Sequence, residues 1–426
     1  MDNVQEIKGY IKDEENRLRD ELQLIASENY PSKDVMEALG SCLTFRYSEG
    51  MPNYKYYGGQ EYLEKIELKA IELAKQLFRA DHANVQPHAG AQANMAVYNA
   101  WCEPGDTILG LSLDDGGHLT HGSPVTQAAK FYNFVSYGLD NNGYIDLEDL
   151  KQKIIEHQPK IILIGYSAYS RIPDFEKINQ IRNEYAPEAL LMADMAHVAG
   201  LIAGGVHPNP LDYGFNVMTT TTHKSLRGPR GGLILSMGKV SNPLKKPEHT
   251  LENVPTLIDR SVFPGTQGGP LMHCVAAKGI CFAEALKPEF KDYAEQIVKN
   301  AKAMAEVFDK NAVYMQTGGT DNHLILIDCK KSYGITGKQA EQRLEAIGII
   351  TNKNAVHNDT GTKANPDGLR LGTPAITTRG FKEEDCVELA QIICEALNDL
   401  ETNDGLGELS ERVKVLADRF KIPSLQ

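Results

Sequence analysis

Apolar residues gather in short, dense runs through the middle of the chain. "PKIILIGYS" (159–167), "ALLMADMAH" (189–197) and "NVMTTTTH" (216–223) are continuous runs, the first and third rich in β-branched side chains. Between or before them, at about 146–157 and 175–185, apolar positions recur at a helical period. Unbroken apolar strands alternating with helices predict a parallel sheet covered on both faces. "GGLILS" (231–236) follows a glycine-rich turn and is expected to join the same sheet.

Beyond about residue 271 the pattern changes. A helix-rich stretch runs to about 310, with a break near Pro288. Then come "HLILIDC" (323–329), a helix at about 337–347, "GIITNKN" (348–354), "GLRLGTPAIT" (368–377) and a helix over about 382–399. Strands and helices mix here without a steady βαβ rhythm, which predicts an α+β region. The polar segment 238–260 carries three prolines and reads as an inserted surface loop. The tail 405–426 reads as an amphipathic helix with a loose end. The expected class is α/β: a large domain with a mostly parallel sheet sandwiched by helices, plus a smaller α+β C-terminal domain. The expected divisions are a helical arm over 1–25, the large domain over 26–275 and the small domain over 276–426. The last boundary falls inside a long helix.

Composition narrows the classes. The 426 residues carry a formal charge of −13, with 42% hydrophobic and 24% charged residues. That balance is globular and argues against nucleic acid or an anionic membrane as partner. The seven cysteines are scattered and form no CxxC pair, as expected of a reduced, cytoplasmic protein without a zinc site. The N-terminal residues are charged and lack an apolar core, so no signal peptide is expected. No apolar run reaches the roughly 18 residues of a membrane span.

The chemistry lies at the expected strand ends, where α/β sheets bind ligands. Asp194, His197, Thr221, Thr222, His223 and Lys224 all fall at or just after such ends. Gly90 follows "NVQPH" (84–88) and opens the helical "AQANMAVYNAW" (91–101), which offers backbone N–H groups to a phosphate. A phosphate seat, an acid and a lysine together specify pyridoxal phosphate: an aldehyde for the lysine, a ring nitrogen for the aspartate, a phosphate for the helix end. Desolvation and cationic neighbours such as Arg230 or His223 are expected to free the lone pair of Lys224. His118 in "GGHLTHG" (116–122) is the candidate to stack on the ring. Each feature has an ordinary alternative: a surface lysine, a capping DxxH, a simple GPRGG turn. One cofactor explains them all. His118 and His121 lack a third nearby ligand in the sequence, so no metal site is expected.

The ordered motifs go further. "LIASEN" (24–29), "YYGGQEY" (56–62), "EPGDTILG" (103–110), "GGHLTHGSP" (116–124), "SAYSR" (167–171), "DMAHVAGL" (194–201), "TTTTHKSLRGPRGG" (219–232), "FPGTQGGP" (263–270), "GGTDNHL" (318–324), "NKN" (352–354) and "RLGTPAITTRGF" (370–381) stand in sequence. In these the chain, from about 14 to about 400, resembles the serine hydroxymethyltransferase family. The resemblance implies fold type I of the pyridoxal-phosphate enzymes and a homodimer with shared active sites. It implies transfer of the serine hydroxymethyl carbon to tetrahydrofolate. Lys224 would carry the cofactor, Asp194 would pair with the ring nitrogen, and His118 would stack. Ser167 and His197 would lie on the phenolic-oxygen side. Ala89, Gly90, Ala91, Thr221 and His223 would line the cofactor and phosphate seat. Gly268 and Gly269 would reach the phosphate from the second subunit. Arg370 and Ser27 would hold the substrate carboxylate. Glu49 would transfer protons, and Tyr47 and Tyr57 would cross the dimer interface. Leu113, Gly117, Leu119 and Asn354 match folate-lining positions.

The chain also departs from the family pattern. Ala89 stands where the family usually has serine in "PHSGxQAN", a loss of about 1–3 kcal/mol of phosphate binding if uncompensated. Asp115 replaces a histidine, His357 a proline, and Phe45, Met51, Asn53 and Tyr54 are also new. Several of these surround the expected folate entrance. They motivate a second expectation, a folate-independent aldolase acting on threonine-like or α-methylserine-like amino acids.

Overall fold

A computed structural model describes residues 2–398 and 405–426. The chain divides into two compact units: the segment through Tyr30 with Glu295–Gln426, and Pro31–Ala294.

In the first unit, the helix Asn3–Asp20 opens the chain, capped by the Asp2 carboxylate on Val4 N–H. It leads into β1 (Leu22–Gln23).

The second unit holds a seven-stranded sheet. Its strands are β2 (His82–Asn84), β3 (Thr107–Leu111), β4 (Asn133–Tyr137), β5 (Ile161–Gly165), β6 (Leu190–Asp194), β7 (Val217–Thr221) and β8 (Gly232–Ser236). They lie side by side in the order β2-β8-β7-β6-β5-β3-β4. The run from β4 to β7 is parallel, and β8 pairs antiparallel with β7 and with β2. "GGLILS" therefore joins the sheet as expected, with reversed direction. Every residue of β5, β6, β7 and β8 is buried, which explains why those runs do not alternate with polar residues. Helix Gly90–Trp101 packs on one face through Ala93, Ala96, Val97 and Trp101, beside Leu163, Met192 and Val217.

The segment 238–260 is not all loop. Its second part is the helix Val254–Arg260, with Pro255 in the first turn, and Val254, Leu257 and Ile258 enter the same core. The prolines suggested a loop, but a proline at the start of a helix costs no hydrogen bond.

The rest of the first unit contains β9 (Leu324–Asp328), β10 (Ile349–Ile350), β11 (Asn352–Asn354) and β12 (Gly368–Gly372). β11, β12 and β9 form an antiparallel sheet, and β10 pairs with β1 in parallel. Helices Gly337–Glu345, Glu383–Asn398 and Leu406–Arg419 close its core around Leu344, Leu389, Ile393 and Leu416. Residue 399 of the expected 382–399 helix lies outside the described residues. The "AIT" of "GLRLGTPAIT" belongs to a separate helix, Pro374–Arg379, because Pro374 ends the strand pattern and starts a helix. The expected loose C-terminal end is anchored instead. Ile422 packs with Tyr30 and Ala375, and Arg19 donates to the Leu425 carbonyl at 2.7 Å.

Candidate active site

Two neighbouring parallel strands carry the central chemistry. β6 ends on Asp194, and β7 ends three residues before Lys224. Both side chains are buried, with about 8% and 9% of each residue exposed.

Asp194 is held on three sides. Its Oδ2 accepts from Asn94 Nδ2 at 2.8 Å and from His121 Nε2 at 3.0 Å, and its Oδ1 accepts from Ala196 N–H at 3.1 Å. Burial favours the neutral acid, but the His121 hydrogen bond and the nearby imidazoles win and hold the carboxyl well below its usual range. A carboxylate has about four acceptor sites, so capacity remains for a ring N–H.

The threonine run extends this network. Thr219 Oγ1 donates to Asn94 Oδ1 at 2.6 Å, and Thr222 Oγ1 donates to the Pro229 carbonyl at 2.6 Å. Each hydroxyl in this buried strand end therefore has a partner, as burial requires. Thr221 Oγ1 contacts the Ala196 carbonyl at 3.5 Å, which joins the two strand ends. Ser225 locks the loop after Lys224 by donating to the His197 carbonyl at 2.7 Å and accepting from Gly200 N–H. Ser167 lies two residues past β5, and His197 is 2% exposed just past β6.

His118 is half-buried, 5.6 Å in ring centroids from His121, and its Nδ1 lies 2.7 Å from Thr120 Oγ1. Burial, aided by His121 and Lys224, pushes its pKa down to about 4. A neutral imidazole suits a flat stacking role. The fold also supplies the third candidate ligand that the sequence lacked: donor atoms of His118, His121 and Asp194 lie within 4.8 Å of one another. The expectation of no third ligand is corrected to this extent. The Asp194 oxygen in the cluster already accepts two hydrogen bonds.

The expected phosphate seat has matching features. Ala89 is the cap of helix Gly90–Trp101 and makes no side-chain cap bond, so first-turn N–H groups lack that partner. Gly90 meets Thr221 closely: a Cβ there would lie 2.7 Å from Thr221 Cγ2. His223 Nδ1 is buried without a partner. Burial, with Arg230 and Lys224 nearby, pushes the His223 imidazole down to about 3. It is a neutral neighbour of Lys224 at neutral pH, which corrects the expected cationic one. An orphaned ring nitrogen beside an uncapped helix start fits a bound anion.

A further group forms on one surface of the same unit. Tyr57 Oη donates to Glu49 Oε2 at 3.0 Å, and the Tyr47 and Tyr57 rings meet edge-on at 6.0 Å. Gly269 packs against Tyr47, and Gly268 lies beside Glu49. Tyr47 and Tyr57 are 65% and 46% exposed. Leu113 opens the 3-10 turn Leu113–Asp115, Gly117 lies two residues beyond it, and Leu119 is exposed.

The remaining candidates belong to the other compact unit. Arg370 is buried on β12, opposite Asn352 of β11, and its Nε donates to Asn352 Oδ1 at 3.1 Å. Burial lowers its pKa to about 10, which leaves it charged at neutral pH. Ser27 follows Ala26, which approaches Gly372 so closely that a Cβ there would sit 2.4 Å from Ala26 Cα. Asn354 ends β11.

The sequence reading missed Asn94, His121, Lys278 and Gln267. His121 was visible in "HLTH", but its partner Asp194 is 73 residues away. Gln267 bonds His88 N–H and the Gln86 carbonyl, just before the phosphate helix. No local spacing announces such long-range partners.

A buried lysine just past β7 and a hydrogen-bonded aspartate at the end of the neighbouring β6, in an α/β sheet, form the arrangement of a pyridoxal-phosphate-dependent transferase. Residues 1–393 match the family model described as serine hydroxymethyltransferase. The serine hydroxymethyltransferase 1 of Pseudomonas fluorescens is 50% identical over 412 residues, covering 97% of this chain and 95% of that protein. The serine hydroxymethyltransferase of Lactobacillus gasseri is 51% identical over 414 residues, covering 97% of each. The chain belongs to the serine hydroxymethyltransferase family, and its activity is that of the family.

Proposed function

We propose that this chain binds pyridoxal 5′-phosphate and transfers the hydroxymethyl carbon of serine to tetrahydrofolate, giving glycine and 5,10-methylenetetrahydrofolate. The observation that carries this reading is the Asp194–His121–Asn94 network at the end of β6, next to the strand that leads to Lys224. When bound, the cofactor supplies an aldehyde for the lysine amine and a protonated ring that accepts the electron pair of the broken Cα–Cβ bond.

The chain's own residues do the rest. Asp194, kept ionised, holds the proton on the ring nitrogen. His118, kept neutral, would stack on the cofactor ring. Gly90, Ala91 and His223 offer N–H groups to the phosphate. Ser167, His197 and Thr221 line the ring. Arg370 grips the serine carboxylate as a fork, with its plane fixed by Asn352 and with help from Ser27. Such a grip would fix the orientation of the bound amino acid. Glu49, bonded to Tyr57, moves the proton of the serine hydroxyl. Leu113, Gly117, Leu119 and Asn354 receive the folate.

The working form is a homodimer. Tyr47, Tyr57, Gly268 and Gly269 complete the site of the other subunit. Phe45 (78% exposed), Tyr62 (71%) and Val125 (82%) support this, since such side chains gain by being covered. The seven free cysteines agree with a cytoplasmic home. No helix among the described residues is long and apolar enough to cross a membrane.

The test is a visible absorption spectrum of the purified protein, then with glycine, then with tetrahydrofolate. The expected result is a yellow protein whose new long-wavelength band needs both ligands. A band that forms with glycine and ignores folate would move the function to a folate-independent aldolase. A colourless protein that stays colourless with added cofactor would sink the reading.

A further inference from the structure

Lys278, on helix Met272–Ala285, is 1% exposed. Its Nζ donates to the carbonyls of Val85 at 2.7 Å, Pro87 at 2.9 Å and Gly232 at 2.8 Å. An ammonium has three N–H donors and no acceptor, so three carbonyls saturate it. The three carbonyl bonds favour the charged form. No carboxylate ion-pairs with it among the described residues. Burial pushes the Lys278 pKa down to about 7, against the pull of Cys274 and Glu67, and Glu67 is already paired with Lys55.

The three carbonyls belong to segments that meet at the phosphate seat. Val85 and Pro87 lead into Ala89 and the helix Gly90–Trp101. Gly232 starts β8, and its N–H donates to Pro87 O at 3.0 Å. A Cβ on Gly231 would lie 2.4 Å from Lys278 Cε, so the glycine-rich turn lets the lysine pass. Gly231 O accepts from Thr222 N–H, two residues before Lys224. The ammonium is also near enough to disfavour protonation of both His88 and His223. A buried cation without a counter-ion is costly unless an anion comes to it.

We propose that Lys278 is the positioning cation of the cofactor phosphate. It ties the lead-in of the phosphate helix to the turn behind Lys224, and its charge attracts the dianion from behind the seat. This offsets the hydroxyl that Ala89 lacks. The inference rests on the cofactor reading above, and the test separates the two.

The apoenzyme is titrated with pyridoxal 5′-phosphate and, separately, with pyridoxal, which has the same aldehyde and no phosphate. Both are followed by absorbance. In Lys278→Met the affinity for pyridoxal 5′-phosphate falls by about tenfold or more, while that for pyridoxal changes by less than about threefold. A tie that only holds the scaffold would weaken both ligands alike, and that outcome overturns the proposal. Unchanged affinity for the phosphorylated ligand overturns it as well. If Lys278→Met does not fold, Lys278→Gln, which keeps two donors without the charge, carries the same comparison. Wild-type protein that binds neither aldehyde overturns the cofactor reading itself.

Discussion

At the scale of single residues, the site depends on one carboxylate staying ionised inside the protein. Asp194 is buried, which alone would favour the neutral acid. His121 and Asn94 reverse that preference by donating to the charged form. The folded-state pKa is therefore below the unfolded value. The stability it contributes is present above about pH 4, where an unfolded aspartate is ionised, and is lost as pH falls through the lower folded value. His121→Leu removes one donor and leaves Asp194 Oδ2 under-satisfied. Chemical denaturation at pH 7 is expected to show a loss of about 1–3 kcal/mol. The acid limb of unfolding should move to higher pH. An unchanged acid limb would mean that His121 does not set the charge of Asp194. A second residue prediction concerns Lys224: Lys224→Ala should abolish hydroxymethyl transfer while leaving the circular dichroism spectrum intact. Full activity would sink the assignment. Lys224 was legible from sequence because a lysine at the end of a buried strand is chemically out of place. His121 and Asn94 were not, since their roles depend on partners about 70 and 100 residues away.

At the scale of elements, small residues and buried pairs fix where functional loops run. The Glu49–Tyr57 loop is tied to the helix Glu61–Phe78 by Lys55, whose Nζ meets Glu67 Oε2 at 2.5 Å with both side chains almost fully buried. Lys55 also donates to the carbonyls of Ser48 and Gly50, and Gln86 donates to the other Glu67 oxygen at 2.6 Å. Burial raises the Glu67 pKa despite this pairing, so the carboxylate relies on Lys55. Lys55→Met should destabilise the protein by about 3–5 kcal/mol, because an unpaired buried charge remains. Lys55→Met with Glu67→Leu should recover most of that loss. Additive losses in a double-mutant cycle by denaturant unfolding would refute the coupling. In the other unit, Gly372→Ala drives a methyl group into Ala26, with an expected cost of about 1–3 kcal/mol. Its readout is a raised KM for serine, as Ser27 is displaced; an unchanged KM would count against the role of Ser27. The 238–260 segment shows why element identity is hard to read locally. Its composition is that of a loop, and only the core around Val254, Leu257 and Ile258 decides that its second part is a helix.

At the scale of the whole molecule, Tyr47, Tyr57 and Phe45 are large exposed side chains that a second subunit would cover. A dimer with shared sites makes a specific prediction. Lys224→Ala and Tyr57→Phe chains, each inactive or weak alone, should regain about a quarter of wild-type activity when mixed and reassociated. Half of the dimers would then be mixed, each with one intact site. Absence of recovery would place Tyr57 in the site of its own chain.

The sequence by itself determined the α/β class, the four buried strands β5 to β8, the lysine and aspartate at strand ends, and the helix that opens at Gly90. Those features are local: a buried strand must be apolar, and reactive groups sit where strands end. The tertiary structure alone decided that β8 runs antiparallel, that His121 and Asn94 bond Asp194, that Lys278 donates to the carbonyls of Val85, Pro87 and Gly232, and that Arg370 faces Asn352. Each of these depends on which distant segments become neighbours, and neighbours are set by packing rather than by spacing along the chain.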